Sequence, residues 1–148
     1  MRYVSTRGQA PVLDFAGVLL AGLAEDGGLY VPESWPSFSP AEIRALRGLP
    51  YPELVAAIMA PFVGEAIPDF RRLCADAYAG FDHPAVVPLV QLETGLFVQE
   101  LFHGPTLAFK DLALQLVGRL FERVLGAERL TIVGATSGDT GAAAIEAL

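Results

Sequence analysis

The sequence predicts an α/β protein with a mainly helical subdomain over residues 1–82 and the beginning of an α/β domain over residues 83–148. Two observations predict this division. Capped helical segments follow one another in the first part, whereas β-rich and helical runs alternate after "GFDHP". The second part has the order strand, loop, helix, strand, glycine-rich loop, helix, which is typical of a sheet covered by helices.

Proline, glycine and capping residues divide the first part into short helices. Asp14 is suited to cap "FAGVLLAGL", and "LYV" predicts a short strand. Ser39, Pro40 and Glu42 in "SPAEIRALRG" form the pattern of a capping box. The runs "YPELVAAIMAP" and "IPDFRRLCADAYAG" also begin at a proline and end at a breaker. Taken alone, these residues predict a packed helical subdomain without chemistry.

The second part begins with two β-rich runs, "AVVPLVQL" and "GLFVQEL", followed by helical periodicity over residues 108–125. The apolar run "RLTIVGA" predicts a buried strand, "TSGDTG" a loop and "AAAIEAL" a helix. That helix stops about two turns after it begins, without a capping residue. We therefore expect a truncated domain, and a chain that is the N-terminal part of a longer protein.

Composition excludes several classes of function. The net charge of −7 and the pI near 4.7 argue against a nucleic-acid or anionic-membrane surface. No run of 18 or more apolar residues predicts a transmembrane helix, and the N-terminus, "MRYVSTRGQAP", lacks the apolar region of a signal peptide, so we expect a cytoplasmic protein. The one cysteine, Cys74, has no internal partner, and two distant histidines predict no metal site.

Lys110 is the only lysine in a chain whose other basic residues are arginines. Helical phase places it with Leu114, Val117 and Phe121, opposite a polar sector that begins at Asp111. Burial and the positive end of the helix dipole both disfavour the charged amine, as a Schiff-base nucleophile requires. The alternative is an ordinary ammonium that reaches solvent along the helix surface.

The stretch "GATSGDTGAAA" predicts an anion site at a helix N-terminus. Gly138 and Gly141 allow close approach of a ligand to the backbone, and the helix offers free N–H groups. Hydroxyl donors are added by Thr136, Ser137 and Thr140. The spacing matches neither a Walker A loop nor a dinucleotide fingerprint, so a carboxylate or phosphate is expected. The alternative is an ordinary capped turn with Ser137 or Asp139 as N-cap.

Taken together, these motifs resemble the threonine synthase family of fold-type-II pyridoxal-phosphate enzymes. "ELFHGPTLAFKD" over residues 100–111 is similar to the family's cofactor-lysine segment, and "ATSGDTGAA" over residues 135–143 to its substrate-carboxylate loop. "YVSTRG", "GLAEDGGLYVPESWP" and "YPELVAAIMAPFVG" resemble the helical domain that precedes the catalytic domain. The resemblance extends over nearly the whole chain, in order.

The resemblance implies that Lys110 forms a Schiff base with pyridoxal 5′-phosphate. The family converts O-phospho-L-homoserine and water to L-threonine and phosphate, and the freed lysine moves protons at the substrate's Cα, Cβ and Cγ. By analogy with the wider superfamily, Thr136, Ser137, Gly138 and Thr140 form the loop that binds the substrate carboxylate.

The same resemblance implies roles for three more positions. Asp139 takes the place of a residue close to the cofactor's 3′-oxygen, and its role there stays open. His103 and Thr106 precede the lysine, where they either line the substrate pocket or act as turn residues. The family's cofactor-phosphate loop and pyridine-nitrogen partner lie later in its chains. We therefore expect this chain to need the missing C-terminal part as a partner and to be inactive alone.

Two rival interpretations stay open. One is another pyridoxal-phosphate lyase that acts on a phosphorylated or hydroxy amino acid, although the N-terminal helical domain argues against it. The other is a non-catalytic, synthase-like module that binds a phosphorylated metabolite or a protein partner.

Overall fold

Helices and two small antiparallel sheets make up the structure, a computed structural model that describes residues 1–129 and 131–148. In chain order the elements are β1 (Tyr3–Ser5), α1 (Phe15–Ala21), β2 (Tyr30–Pro32), α2 (Pro40–Ala45), α3 (Tyr51–Val63), α4 (Phe70–Tyr78), β3 (Leu89–Glu93), β4 (Leu96–Gln99), α5 (Asp111–Leu125) and α6 (Asp139–Ala147). Strand β1 pairs with β2, and β3 pairs with β4. Within the described residues, no helix is long and apolar enough to cross a membrane.

The chain divides into two compact units. The N-terminal unit comprises Met1–Leu49 and Val55–Phe70, and the lysine unit comprises Pro50–Leu54 and Arg71–Leu148. The predicted division into domains over residues 1–82 and 83–148 stays a prediction.

Capping residues start the first two helices as the sequence predicts. The carboxylate of Asp14 accepts a hydrogen bond from the Gly17 N–H at 2.8 Å, at the start of α1. At the start of α2, the Ser39 hydroxyl accepts from the Glu42 N–H while the Glu42 carboxylate accepts from the Ser39 N–H. This reciprocal pair satisfies two backbone donors that a helix start leaves without partners. The predicted capping box is confirmed.

Aromatic rings and apolar side chains fill the core of the N-terminal unit. The Tyr3 ring lies 6.5 Å from that of Phe15, and its hydroxyl donates to the Phe62 carbonyl at 2.7 Å. The Trp35 ring meets the Phe62 ring edge-on at 6.2 Å, although Trp35 itself is exposed. These contacts attach β1 to the end of α3.

Asp26 organises the turn that joins two of the quoted motifs, "YVSTRG" and "GLAEDGGLYVPESWP". Its carboxylate accepts from the Ser5 hydroxyl at 2.7 Å and from the backbone N–H groups of Gly28, Gln9 and Ala10 at 2.9–3.0 Å. The Ser5 hydrogen bond, followed by those from the backbone, lowers the pKa of Asp26. A side chain at Gly28 would collide with the Ser5 hydroxyl, so the motif needs glycine there.

In the lysine unit, α4 packs its apolar face inward and reaches the start of α5 through one tyrosine. The Tyr78 hydroxyl donates to the Leu112 carbonyl at 3.0 Å, and the Tyr51 ring lies edge-on to the Tyr78 ring. Cys74 is fully buried on this face of α4, and burial raises the pKa of its thiol to about 11.

Helices α5 and α6 make close contact at a glycine. A Cβ at Gly118 would collide with the carbonyl oxygen of Ala147 and lie 2.9 Å from its carbonyl carbon. Glycine at this position lets the α6 backbone approach α5 directly. Leu116 and Leu120 are buried on the same helix.

The strand predicted for "RLTIVGA" is wrong for residues 131–135, which form no strand; Leu130 lies outside the described residues. Ile132 and Val133 are exposed rather than buried. A strand needs neighbouring strands to satisfy its backbone groups. The strands β3 and β4 in the described part of this unit pair only with each other.

Candidate active site

Lys110 stands at the start of α5. It occupies the N-cap position with φ −64° and ψ −22°, and the helix begins at Asp111. Residues 104–110 form turns and bends instead of the helical start expected at Ala108, and the carbonyls of Gly104, Ala108 and Phe109 accept from N–H groups three positions later. The half-buried side chain places Nζ 4.2 Å from the ring centroid of Phe109, a cation–π distance.

Asp111 fixes the turns that precede the lysine. Its side chain is 0% exposed, and its two oxygens accept from the N–H and the hydroxyl of Thr106 at 2.8 and 2.9 Å. A Cβ at Gly104 would lie 2.5 Å from Asp111 Cβ, so only glycine lets the chain pass over this carboxylate. We name residues 103–111 the lysine segment.

The buried face of α5 differs from the predicted one. Asp111 and Gln115, which helical phase assigns to the polar sector opposite Lys110, are 0% and 7% exposed. Lys110 and the apolar residues of its stripe are only half-buried. The expectation that Lys110 lies on the buried side of its helix is therefore wrong in part, because Asp111 turns inward to bind the preceding loop.

His103, at the other end of the lysine segment, lies between two carboxylates. Its Nδ1 is 2.8 Å from an oxygen of Asp82, and its Nε2 is 2.7 Å from an oxygen of Glu100. The imidazole side chain is 14% exposed. The hydrogen bond to Glu100, with a further one to Asp82, raises the pKa of His103.

The second predicted site, residues 134–141, is named the anion loop. The Thr136 hydroxyl accepts from the N–H groups of Gly138 and Gly141 at 3.2 and 3.1 Å. Gly138 is the N-cap of α6 with φ 137°, a conformation that favours glycine. The expectation of Ser137 or Asp139 as N-cap is therefore wrong, and the hydroxyl two residues earlier supplies the capping acceptor.

A cavity of about 810 Å³ opens beside the anion loop. It is lined by residues of α5 and α6 and by part of the connection between them, including Thr136, Thr140 and Gly141. Lys110 does not line this cavity. The structure thus brings the hydroxyls of Thr136 and Thr140, but not that of Ser137, to one cavity. His103 and Thr106 instead form the carboxylate contacts of the lysine segment.

Sequence reasoning missed the acidic residues that hold the lysine segment. Asp111 follows the lysine directly, and a carboxylate at a helix start beside a turn is a signal that could have identified it. Asp82 is 21 positions from His103, so no local pattern joins the two. Phe109 could have been identified as an aromatic neighbour of the lysine.

Comparisons with known proteins agree on one family. The family model described as "Threonine synthase N terminus" matches residues 2–78. The chain is 60% identical to threonine synthase of Pseudomonas aeruginosa, over 99% of this chain and 32% of that protein. It is 45% identical to threonine synthase-like 2 of Rattus norvegicus, over 100% of this chain and 32% of that protein.

A solved structure gives the same result for the fold. The crystal structure of pyridoxal-phosphate-bound threonine synthase from Brucella melitensis matches with a TM-score of 0.96 and 60% identity, over 99% of this chain and 32% of that chain. This match confirms the predicted fold class. The chain spans about a third of the length of these relatives.

Proposed function

The chain belongs to the threonine synthase family, and on that premise we propose that it supplies the lysine-bearing part of an enzyme that forms L-threonine and phosphate from O-phospho-L-homoserine and water. The observation that carries the proposal is the placement of Lys110. The only lysine of the chain stands at a helix start, on a segment whose turns are fixed by a buried carboxylate.

The side chain of Lys110 fits the aldehyde of pyridoxal phosphate. It is a half-buried primary amine, and no carboxylate within the described residues forms an ion pair with it. An amine that is not held in an ion pair is available as a nucleophile. When bound, pyridoxal phosphate supplies an electron-withdrawing ring that stabilises negative charge on a substrate carbon.

Lys110 has two tasks in this proposal. It holds the cofactor through its amine before the substrate arrives. Once freed, Nζ takes and returns protons at the substrate's Cα, Cβ and Cγ, as general acid–base catalysis requires of one positioned group. The Phe109 ring, 4.2 Å from Nζ, offers the freed ammonium a favourable position close to the site.

The anion loop is proposed as the site of the substrate carboxylate, through Ser137, Gly138 and Thr140. Support comes from its position at the N-terminus of α6, where backbone N–H groups and the helix dipole favour an anion. The Thr136 hydroxyl shapes the loop by accepting two hydrogen bonds, and its own hydrogen stays available to donate to a carboxylate.

The remaining predicted positions stand as follows. Asp139, exposed in the first turn of α6, is proposed to lie near the cofactor's 3′-oxygen. The contacts of His103 and Thr106 with neighbouring carboxylates favour their alternative role as residues that shape the turns. The cytoplasmic location stays a prediction.

A second candidate is a synthase-like protein that binds a phosphorylated metabolite without forming threonine. Similarity to the protein named threonine synthase-like 2 supports it. Substrate turnover separates the two candidates, since both share the same lysine segment.

The test uses the complete gene product and the 148-residue chain side by side. Each is incubated with pyridoxal phosphate and reduced with borohydride, and the modified residue is located by mass spectrometry. We expect an adduct at Lys110 of the complete product and none in Lys110→Arg, which keeps the charge without the nucleophile.

Release of phosphate and threonine from O-phospho-L-homoserine is then measured. We expect turnover by the complete product and none by the 148-residue chain alone. An adduct without threonine would favour the second candidate, and no adduct at Lys110 would refute both roles of the lysine.

A further inference from the structure

We propose that His103 is a positioning residue, an imidazolium that bridges Asp82 and Glu100 and thereby fixes the first end of the lysine segment. The proposal goes beyond the proposed function and rests on it only in taking Lys110 as the reactive amine.

The hydrogen bonds of His103 define its protonation state. Both ring nitrogens lie within 2.8 Å of a carboxylate oxygen, Nδ1 at Asp82 and Nε2 at Glu100. A neutral imidazole carries one N–H and one lone pair, and a lone pair facing a carboxylate at this distance is repelled. Only the imidazolium donates to both partners, and both distances are typical of charge-assisted hydrogen bonds.

The neighbouring histidine, His83, makes a separate local contact. The His83 ring lies 5.0 Å from the His103 ring, and its Nδ1 accepts a hydrogen bond from the Ala85 N–H at 3.1 Å. The titratable groups that face His103 are thus two carboxylates and one imidazole, and the two carboxylates favour the cation.

The bridge joins three separate stretches of the lysine unit. Asp82 follows α4, Glu100 follows β4, and His103 opens the lysine segment. A backbone hydrogen bond from the Asp82 N–H to the His103 carbonyl, at 3.0 Å, reinforces the same junction. Because the ring is 14% exposed, its charge is partly shielded from water and its two hydrogen bonds are strengthened.

The lysine segment is therefore attached at both ends by polar side chains. His103 anchors its first residue, and Asp111, its last residue, holds Thr106 and lies directly against Gly104. A catalytic amine must be held close to its productive position, since small displacements of reacting groups greatly reduce rates. The bridge from His103 to Asp82 and Glu100 constrains the lysine segment at the end that is opposite α5.

The first experiment reads the protonation state directly. Long-range proton–nitrogen NMR spectra of the ¹⁵N-labelled complete gene product distinguish an imidazolium from a neutral ring. At a pH just above the ordinary histidine pKa of about 6.5, we expect His103 mainly as an imidazolium. A neutral His103 ring at that pH would overturn the proposal.

The second experiment measures how firmly His103 holds the lysine segment in position. His103→Gln keeps a donor but removes the cation, and we expect amide hydrogen exchange of Thr106 and Leu107 to accelerate about tenfold. Trapping of pyridoxal phosphate at Lys110 should then need about tenfold more cofactor. His83→Gln, beside the bridge but outside it, is the matched control and should change either value by less than about twofold.

Glu100→Gln serves as an independent variant should His103→Gln fail to fold. It removes one carboxylate, so the His103 imidazolium should titrate at lower pH than in the wild type. Exchange in His103→Gln equal to that in His83→Gln would overturn the positioning role. An intact imidazolium in a wild type that forms no adduct at Lys110 would instead contradict the proposed function alone.

Discussion

The lysine segment and the anion loop are both helix starts, yet the chain supports them in opposite ways. The lysine segment is held by hydrogen bonds to three carboxylates, one of them fully buried and all contributed by this chain. The anion loop is exposed over residues 134–139, and one hydroxyl holds its turn. The amine is thus positioned by hydrogen bonds of its own segment, whereas the position of the anion loop depends on how α6 packs on α5.

The largest effect is expected from a substitution that disrupts the lysine segment. Asp111→Ala should lower the free energy of unfolding by about 3 kcal/mol, because two donors of Thr106 lose a buried carboxylate partner. Urea denaturation measures the change. The matched control is Asp139→Ala, which removes the same charge from the first turn of α6 and should cost less than about 1 kcal/mol. Equal losses in the two variants would contradict the contrast between the regions.

A second substitution disturbs the support of the anion loop and leaves the lysine segment intact. Gly118→Ala should lower the free energy of unfolding by about 1–3 kcal/mol, since its Cβ would overlap the Ala147 backbone. Alanine in an unhindered helix would instead stabilise by up to about 1 kcal/mol. Ala113→Gly, at an exposed position of α5, measures that propensity separately. A stabilising Gly118→Ala would show that α5 and α6 do not meet closely at this position.

A third substitution acts on the anion loop itself. Thr136→Val removes the hydroxyl that accepts from Gly138 and Gly141 and should cost about 1 kcal/mol, the usual value of an N-cap acceptor. Thr136→Ser keeps the hydroxyl and should stay close to the wild type. Unfolding followed by circular dichroism tests both, and equal losses in the two variants would contradict a dominant role of the hydroxyl.

The smallest expected effect is a pH dependence confined to the lysine segment. The folded state raises the pKa of His103, so its stabilising contribution is complete below the unfolded value and is lost as pH rises through the raised one. Above a pH of about 6.5, the difference in unfolding free energy between wild type and His103→Gln should therefore shrink. His83→Gln should show no such trend, and a difference that grows with pH would contradict the assignment.

Local chemistry explains which features the sequence could predict. The capping box at Ser39 and Glu42 was predictable because its residues lie within one helical turn. Lys110 was predictable as a helix-start residue for the same reason. The buried strand expected over residues 131–135 failed because strands depend on partners that no local pattern specifies.

The candidate site shows the same limit. Composition identified Lys110 as an exception among arginines, and the glycine spacing identified the anion loop. The bridge at His103 joins residues up to 21 positions apart, so only the folded chain reveals it. Asp111 was misplaced because an ideal helical phase assigns polar residues to solvent, whereas a buried carboxylate is acceptable when nearby donors satisfy it.

The chain also carries one natural reporter in each unit. Its only tryptophan, Trp35, is exposed but meets Phe62 within the N-terminal unit, so its fluorescence reports the loss of that ring contact when the unit opens. Its only cysteine, Cys74, is fully buried in the lysine unit, so a thiol reagent in solution reacts with it when that unit opens. The opening of both units can thus be followed in a single unlabelled sample, by tryptophan fluorescence for the N-terminal unit and by alkylation of Cys74 for the lysine unit.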